Sequence, residues 1–111
     1  MITMITLHMI SKENREQALA FLKKNTEVAK KAKGLVLRQV FISQKDPLKG
    51  YSITSWKTQE DLEAFRKNPD RPRMVTEGKD ASVYEVTPKG KVLLFTRTDT
   101  EIYDLASTTQ E

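Results

Sequence analysis

Hydrophobic and polar residues alternate with a period of two in the segment that opens the chain. Between residues 4 and 10, Thr6 and His8 alternate with Ile5 and Leu7. Because successive side chains of a strand point to opposite faces, this pattern predicts a first β-strand. It also predicts that Thr6 and His8 share one face of a sheet.

A period of three and four residues follows and predicts a long helix between Ser11 and Gly34. Ser11 is a candidate N-cap, and Gly34 is placed where a left-handed C-cap residue is favoured. The apolar positions of one helix face are Ala18, Phe21, Leu22, Val28, Ala29 and Ala32. Asn25 is the single polar residue on that face. The expected length is about six turns.

The rest of the chain completes an alternation of strands and helices. In order, the pattern predicts strands over residues 35–43 and 51–56, a short helix after Thr58, a loop over 68–79, a strand over 81–86 and an added strand over 92–96. The loop is a candidate lid over a pocket. This order is that of a split βαβ fold with an antiparallel sheet, an α+β class. We expect one domain over residues 1–97 and a polar, fraying tail over 98–111.

A sheet of this kind is covered by its helices on one face only. On the third strand, Tyr51 and Ile53 point to one face, and Ser52, Thr54 and Trp56 point to the other. A bare apolar face of several hundred Å² in a soluble protein normally has a partner. We therefore expect a homodimer formed through the sheet face, with a small-molecule pocket between the helices and the sheet of each subunit.

Composition narrows the chemistry that is available. The 111 residues contain no cysteine and one histidine, which excludes disulfides, thiolate nucleophiles and a zinc site of the usual thiolate and imidazole ligands. We expect no metal and no resident cofactor. A domain of this length buries only about two thirds of its unfolded surface, so its margin of stability is expected to be small.

The charge of the chain is basic, with a formal net charge of +4. The excess lies mainly on the predicted long helix, as Lys23, Lys24, Lys30, Lys31 and Lys33. A solvated helix face accounts for these lysines, so we expect no nucleic-acid partner. The first residues contain neither a basic leader nor an apolar run that could span a membrane, and a cytoplasmic protein is expected.

The segment YSITSWKTQEDLEAF, residues 51–65, resembles the core signature of the antibiotic biosynthesis monooxygenase family. Gly34 before the second strand and Asp46-Pro47 in the hairpin also fit, and the resemblance extends over residues 4–87. It implies a ferredoxin-like fold that assembles as a dimeric α+β barrel. Family members include cofactor-independent oxygenases of phenolic polyketides, quinol oxidases, heme-degrading enzymes and proteins of no known activity.

The functional residues of the heme-degrading members are not found at the matching positions of this chain, and the missing axial ligand of the heme is decisive. Those members use an asparagine on the first strand, a tryptophan on the second helix and a histidine shortly after it. The matching positions hold Thr6, Phe65 and Met74 or Val75. Without that histidine, heme degradation of the family's kind is not expected.

Transfer from the polyketide oxygenases succeeds at one position. Their tryptophan at the end of strand three is matched by Trp56, whereas an asparagine four residues earlier is replaced by Ser52 and a tyrosine on the second helix by Leu62. Trp56 either packs under a helix or stacks on a planar substrate. It is the one oxygenase residue that the resemblance supports.

Two further polar residues are candidates for the site. His8 either accepts a phenolic proton, since an ordinary imidazole pKa lies near neutral pH, or is hydrogen-bonded only. Arg38 lies within an apolar strand and needs a partner, either Glu85 or a ligand carboxylate. Thr6, Ser52 and Phe65 complete the expected pocket.

Two classes of function therefore remain open. The first is an enzyme that oxidises a small aromatic or quinol-like compound with molecular oxygen and no bound cofactor, with His8 as base. The second is a binding module without turnover. An RNA-binding version of it has the same strand order, and Lys49-Gly50-Tyr51 imitates the start of its octamer, but Ile53 stands where a stacking aromatic belongs.

Overall fold

A computed structural model describes residues 1–109 of the chain. The elements are β1 (Ile2–Ile10), α1 (Arg15–Lys30), β2 (Leu35–Ile42), β3 (Lys49–Trp56), α2 (Gln59–Arg66), β4 (Met74–Glu77), β5 (Ser82–Thr87) and β6 (Gly90–Asp104). Glu111, which the predicted tail includes, lies outside the described residues. Over residues 1–109, neither helix has the length and apolar character needed to cross a membrane.

The six strands form one antiparallel sheet in the order β2-β3-β1-β6-β5-β4. Both helices pack on the same face of it, through two apolar clusters. The first joins α1 to β5 and β6 around Leu22 and Phe95, and the second joins both helices to the end of β3 around Trp56 and Phe65. The predicted ferredoxin-like α+β fold is confirmed.

Helix α1 is shorter than predicted, with 16 residues and about four and a half turns. The predicted N-cap, Ser11, is wrong: its backbone N–H donates to the carbonyl of Leu94 at 2.8 Å. Asn14 precedes the helix, and its side-chain amide donates to the carbonyl of Leu93 at 2.8 Å. These bonds to β6 hold residues 11–14 in an irregular turn, so the helix cannot begin before Arg15.

Strand β6 extends well beyond the predicted strand over 92–96, so the predicted start of a fraying tail at residue 98 is wrong. The strand continues to Asp104 because its backbone pairs with all of β1, from Phe95 opposite Ile10 to Asp104 opposite Ile2. The polar side chains do not prevent this pairing, since the ladder uses backbone groups. β6 lies between β1 and β5 and is not an added edge strand.

The predicted loop over residues 68–79 contains a short strand. β4 has four residues, all exposed, and pairs with β5 from Met74 opposite Glu85 to Glu77 opposite Ser82. Exposed positions carry no apolar alternation, so the pattern gave no signal for it. Together with β5 and the first half of β6, β4 forms a wall beside the helices.

The predicted left-handed conformation of Gly34 is confirmed, but its predicted role as C-cap is wrong, because α1 ends at Lys30 and its C-cap is Lys31 in a right-handed conformation. Gly34 has φ +84°, and a Cβ at this position would overlap the side chain of Asp61. The carbonyl of Gly34 accepts a hydrogen bond from the backbone of Lys57 at 2.9 Å, which fixes the start of β2 beside the end of β3. Thr58 caps α2 by accepting from the backbone N–H of Asp61 at 3.1 Å.

The face of the sheet opposite the helices, here called the open face, carries an apolar surface over β2, β3 and β1, beside Gln39 of β2 and Glu101 of β6. Cross-strand pairing aligns Phe41 with Tyr51 and Tyr51 with Leu7, and it aligns Ile53 with Ile5. Phe41 and Tyr51 are 47% and 40% exposed. Nothing in the described chain covers these side chains.

Candidate functional site

A cavity of about 480 Å³ lies between the two helices and the sheet. Its floor comes from β1, β3 and β6, its roof from α1 and α2, and its side wall from β4 and β5. Of the residues predicted for the pocket, Thr6, His8, Arg38, Ser52 and Phe65 all line it. Trp56 is not part of the lining.

His8 lies on the cavity floor because β1 points its even-numbered side chains towards the helices. The side chain is 7% exposed, and its Nε2 lies 2.9 Å from Ser52 Oγ, across the pair that β1 and β3 form. Its ring stacks at a tilt on Phe95, with centroids 4.6 Å apart. Within the described residues, Nδ1 is buried and has no hydrogen-bond partner.

Burial, together with the positive charge of Arg38, lowers the pKa of His8 to about 4. The imidazole is therefore neutral at pH 7 and keeps a lone pair for a donor. The expectation of a pKa near neutral pH is not met, because desolvation disfavours the imidazolium form.

This lowered pKa predicts a specific loss of stability in acid. Since the unfolded chain binds the His8 proton more tightly, with a pKa of 6.5 against about 4 in the fold, the stabilisation is complete above pH 6.5. It declines as the pH falls towards 4. Between pH 7 and 4.5 the free energy of unfolding should fall by about 2 kcal/mol more in the wild type than in His8→Gln.

Urea unfolding of both proteins at the two pH values measures this difference. The two proteins differ only at residue 8, so the contributions of all other groups cancel in the comparison. Equal pH dependence in the two proteins would show that His8 is not held neutral by the fold.

Arg38 enters the cavity from β2, and its predicted bridge to Glu85 is wrong. Nε donates to Thr26 Oγ1 at 3.0 Å and Nη1 to Thr54 Oγ1 at 2.9 Å. Glu85 instead accepts from Gln17 at 3.2 Å. The strand parity of Arg38 was predicted, but its partners lie on α1 and β3, which pack beside it only in the folded chain.

Arg71 is a cavity residue that the sequence did not indicate. It lies in the loop after α2, and its Nε donates to Asn25 Oδ1 at 2.8 Å, while its guanidinium lies 4.6 Å from the centre of the Phe65 ring. This bond explains why Asn25 interrupts the apolar face of α1. Asn25, as a polar residue on an apolar helix face, was a signal that some polar partner packs there, but the sequence did not show that this partner is Arg71.

Trp56 is fully buried behind the cavity, in contact with Phe65 at a centroid distance of 5.0 Å. Its Nε1 has no acceptor within residues 1–109. This geometry matches the alternative in which Trp56 packs in the core. An aromatic ring bound in the cavity would contact Phe65 and not Trp56.

The lining of the cavity is strongly cationic. Four of its residues are basic, Arg38, Arg66, Arg71 and Lys79, and one is acidic, Asp99. Thr6 adds a hydroxyl that lies 2.9 Å from Thr100 Oγ1. No group of three or more potential metal ligands occurs in the part of the chain that the structure describes.

A part-enclosed cavity of this size, lined by rings and a few polar groups between helices and sheet, has the usual form of a small-molecule site. The sequence profile described as antibiotic biosynthesis monooxygenase matches residues 1–77. The chain belongs to the antibiotic biosynthesis monooxygenase family. No curated protein sequence matches it significantly.

Solved structures share the fold at low sequence identity. A crystal structure of an antibiotic biosynthesis monooxygenase superposes with a TM-score of 0.72 at 16% identity, over 96% of this chain and 100% of that one. A protein from Mycobacterium tuberculosis gives 0.72 at 12% identity, over 98% of each chain. A variant of SnoaB, a cofactor-independent oxygenase from Streptomyces nogalater, gives 0.69 at 8% identity, over 99% and 97%.

Proposed function

We propose that this protein is a monooxygenase that oxidises a small aromatic or quinol-like compound with molecular oxygen and without a bound cofactor. The observation that carries the proposal is a neutral imidazole, with one unpartnered nitrogen, in a part-enclosed cavity with aromatic walls. Family membership and the fold shared with a cofactor-independent oxygenase support it.

The chain's residues have separate roles in this proposal. In the tautomer in which Nε2–H of His8 donates to Ser52, the lone pair of Nδ1 is free, and it takes the proton of a phenolic hydroxyl once a turn of the ring brings this buried nitrogen to the cavity surface. Phe65 and Phe95 place the ring and exclude water. The guanidinium of Arg38 stabilises the phenolate that results.

The overall reaction balances with oxygen as the single oxidant. A phenol that becomes a quinone gives four electrons to O₂; one oxygen atom enters the ring, and the other leaves as water. A quinol gives two electrons and two protons, so the products are a quinone and hydrogen peroxide.

Oxygen uptake with a panel of phenols and hydroquinones tests the proposal. We expect protein-dependent uptake at pH 7, with a quinone product visible by absorbance, above the autoxidation rate seen with heat-inactivated protein. Uptake equal to that background for every compound, together with binding of the same compounds, would instead favour a binding protein without turnover.

We also propose that a second copy of the chain covers the open face. The apolar rows that run through Phe41, Tyr51 and Leu7 are continuous across three strands, and such a surface in a soluble protein normally has a partner. The two cavities lie on the helix side of each sheet and stay accessible in this arrangement.

Sedimentation at micromolar concentration tests the dimer. The wild type should sediment as two chains, and Leu7→Glu as one, because the new carboxylate would be buried against the second sheet. Lys24→Glu, on the exposed side of α1, is the matched control and should remain dimeric. A wild type that sediments as one chain contradicts the proposal.

A further inference from the structure

Two arginines approach the middle of α1 from opposite sides of the cavity. Arg38 reaches it from β2 and bonds to Thr26, and Arg71 reaches it from the loop after α2 and bonds to Asn25. Asn25 and Thr26 are consecutive residues, so the two guanidiniums are held on adjacent positions of one helix.

Neither guanidinium has an anionic partner within the described residues. The partners of Arg38 are two hydroxyls and the carbonyl of Leu22, and those of Arg71 are an amide oxygen and the carbonyl of Arg66. The ion pairs of residues 1–109 involve neither arginine. Charges that a protein withdraws from water are normally paired, whereas these two half-buried guanidiniums have only neutral partners.

The electrostatic consequence is visible in the arginines themselves. Burial and the nearby charge of Arg71 lower the pKa of Arg38 to about 10. Burial and the charge of Arg66 lower the pKa of Arg71. A protein that holds cations together in this way without function would lose stability for no gain, whereas a bound anion would offset both effects.

The surroundings of the pair indicate what carries the anion. Arg71 lies over the ring of Phe65, and Phe21 and Phe95 meet edge to face with centroids 6.0 Å apart. These rings provide an apolar wall within the same cavity. A guest with an acidic group at one end and an aromatic ring at the other would contact both the arginine pair and this apolar wall.

We infer that the cavity binds aromatic acids, with the carboxylate or phosphate of the guest held between Arg38 and Arg71. Asn25 is a positioning residue that orients Arg71. The inference deepens the proposed function, because it names the substrate class as phenols or quinols that also carry an acidic group. It rests on the proposed function for turnover but not for binding.

Calorimetric titration with three naphthalene probes tests the inference. The probes are 1-naphthoate, 1-naphthyl phosphate and the neutral 1-naphthalenemethanol, and inorganic phosphate is the probe without a ring. We expect the better of the two acids to bind at least about tenfold more tightly than the alcohol, since a charge-assisted bidentate contact contributes that much. Comparison of the two acids identifies which anionic group the pair prefers.

Substitutions identify the residues that hold the anion. Arg38→Gln and Arg71→Gln should each weaken the preferred acid about tenfold and leave the alcohol within about threefold. Arg73→Gln is the matched control, an exposed arginine two residues along the same loop and outside the cavity lining, and it should change neither. Arg71→Lys keeps the charge and should recover part of the affinity if Arg71→Gln folds poorly.

Equal affinity for acid and alcohol, or equal losses in Arg71→Gln and Arg73→Gln, would overturn the inference. Its failure is distinguishable from failure of the proposed function. Acid binding without oxygen uptake refutes the oxygenase and leaves the anion site standing. Oxygen uptake with neutral phenols, without a preference for acids, refutes the anion site and leaves the oxygenase standing.

Discussion

His8→Gln is expected to lower the rate of oxygen uptake with the best phenolic substrate on the order of a hundredfold, the usual range for loss of a general base. Glutamine can keep the hydrogen bond to Ser52, which in the wild type measures 2.9 Å. It cannot take a proton. The loss should therefore appear in kcat, with a smaller change in KM.

The low pKa of His8 makes its imidazole a weak base before a guest binds. Arg38 contributes to the low pKa of His8. A guest anion beside Arg38 would offset that charge and let the pKa rise, so acidic phenols should turn over faster than neutral ones.

Ser52→Ala serves as the matched control for His8→Gln. It removes the partner of Nε2 but keeps the imidazole, so a loss smaller than that of His8→Gln is expected. A His8→Gln protein that is folded by circular dichroism and consumes oxygen at the wild-type rate would remove His8 from the mechanism.

Trp56→Ala is expected to lower the free energy of unfolding by about 3–5 kcal/mol, the range for truncation of a large buried aromatic. Trp56 is fully buried among Ala29, Leu62 and Phe65, and it carries much of the second apolar cluster. A domain of this size has a total stability of about 5–15 kcal/mol, so the variant should be close to unfolding at 37 °C.

Trp56→Phe separates packing from the indole N–H. It keeps a ring against Phe65 and removes a buried donor that has no acceptor in residues 1–109, so it should lose less than half as much stability as Trp56→Ala. Val75→Ala, at an exposed position of β4, should change stability by less than about 0.5 kcal/mol.

Urea unfolding followed by far-UV circular dichroism measures these changes, because Trp56 is the sole tryptophan and its fluorescence is lost in the variants. Oxygen uptake of Trp56→Phe gives a second measurement. A folded Trp56→Phe protein with greatly reduced turnover would contradict the packing role and return the indole to the reaction.

The sequence predicted which face each strand presents, but it could not predict which distant elements meet there. The period of two placed Thr6 and His8 on the helix side of β1, as found. The partners of Arg38 could not be read from alternation, because they depend on how α1 lies across the sheet. Polar residues with several acceptors in reach are assigned by packing, and the choice of Glu85 failed for that reason.

Arg71 shows the same limit more sharply. Asn25 stood out as a polar residue on an apolar helix face, yet its partner lies 46 residues further along the chain. A loop arginine among several charged neighbours gives no periodic signal. The fold class and the order of every element except β4 could therefore be predicted, whereas Arg71, one of the two arginines of the cavity, could not.

The pairing of β6 with β1 also sets an order of events during synthesis. Residues 2–10 are made before residues 95–104, which form one of their two neighbours in the sheet and lie about 90 residues further along the chain. Contacts so far apart in sequence form slowly. β1 therefore stays paired on one edge only until residues 95–104 have been synthesised, and an unpaired strand edge during this interval favours aggregation of the nascent chain.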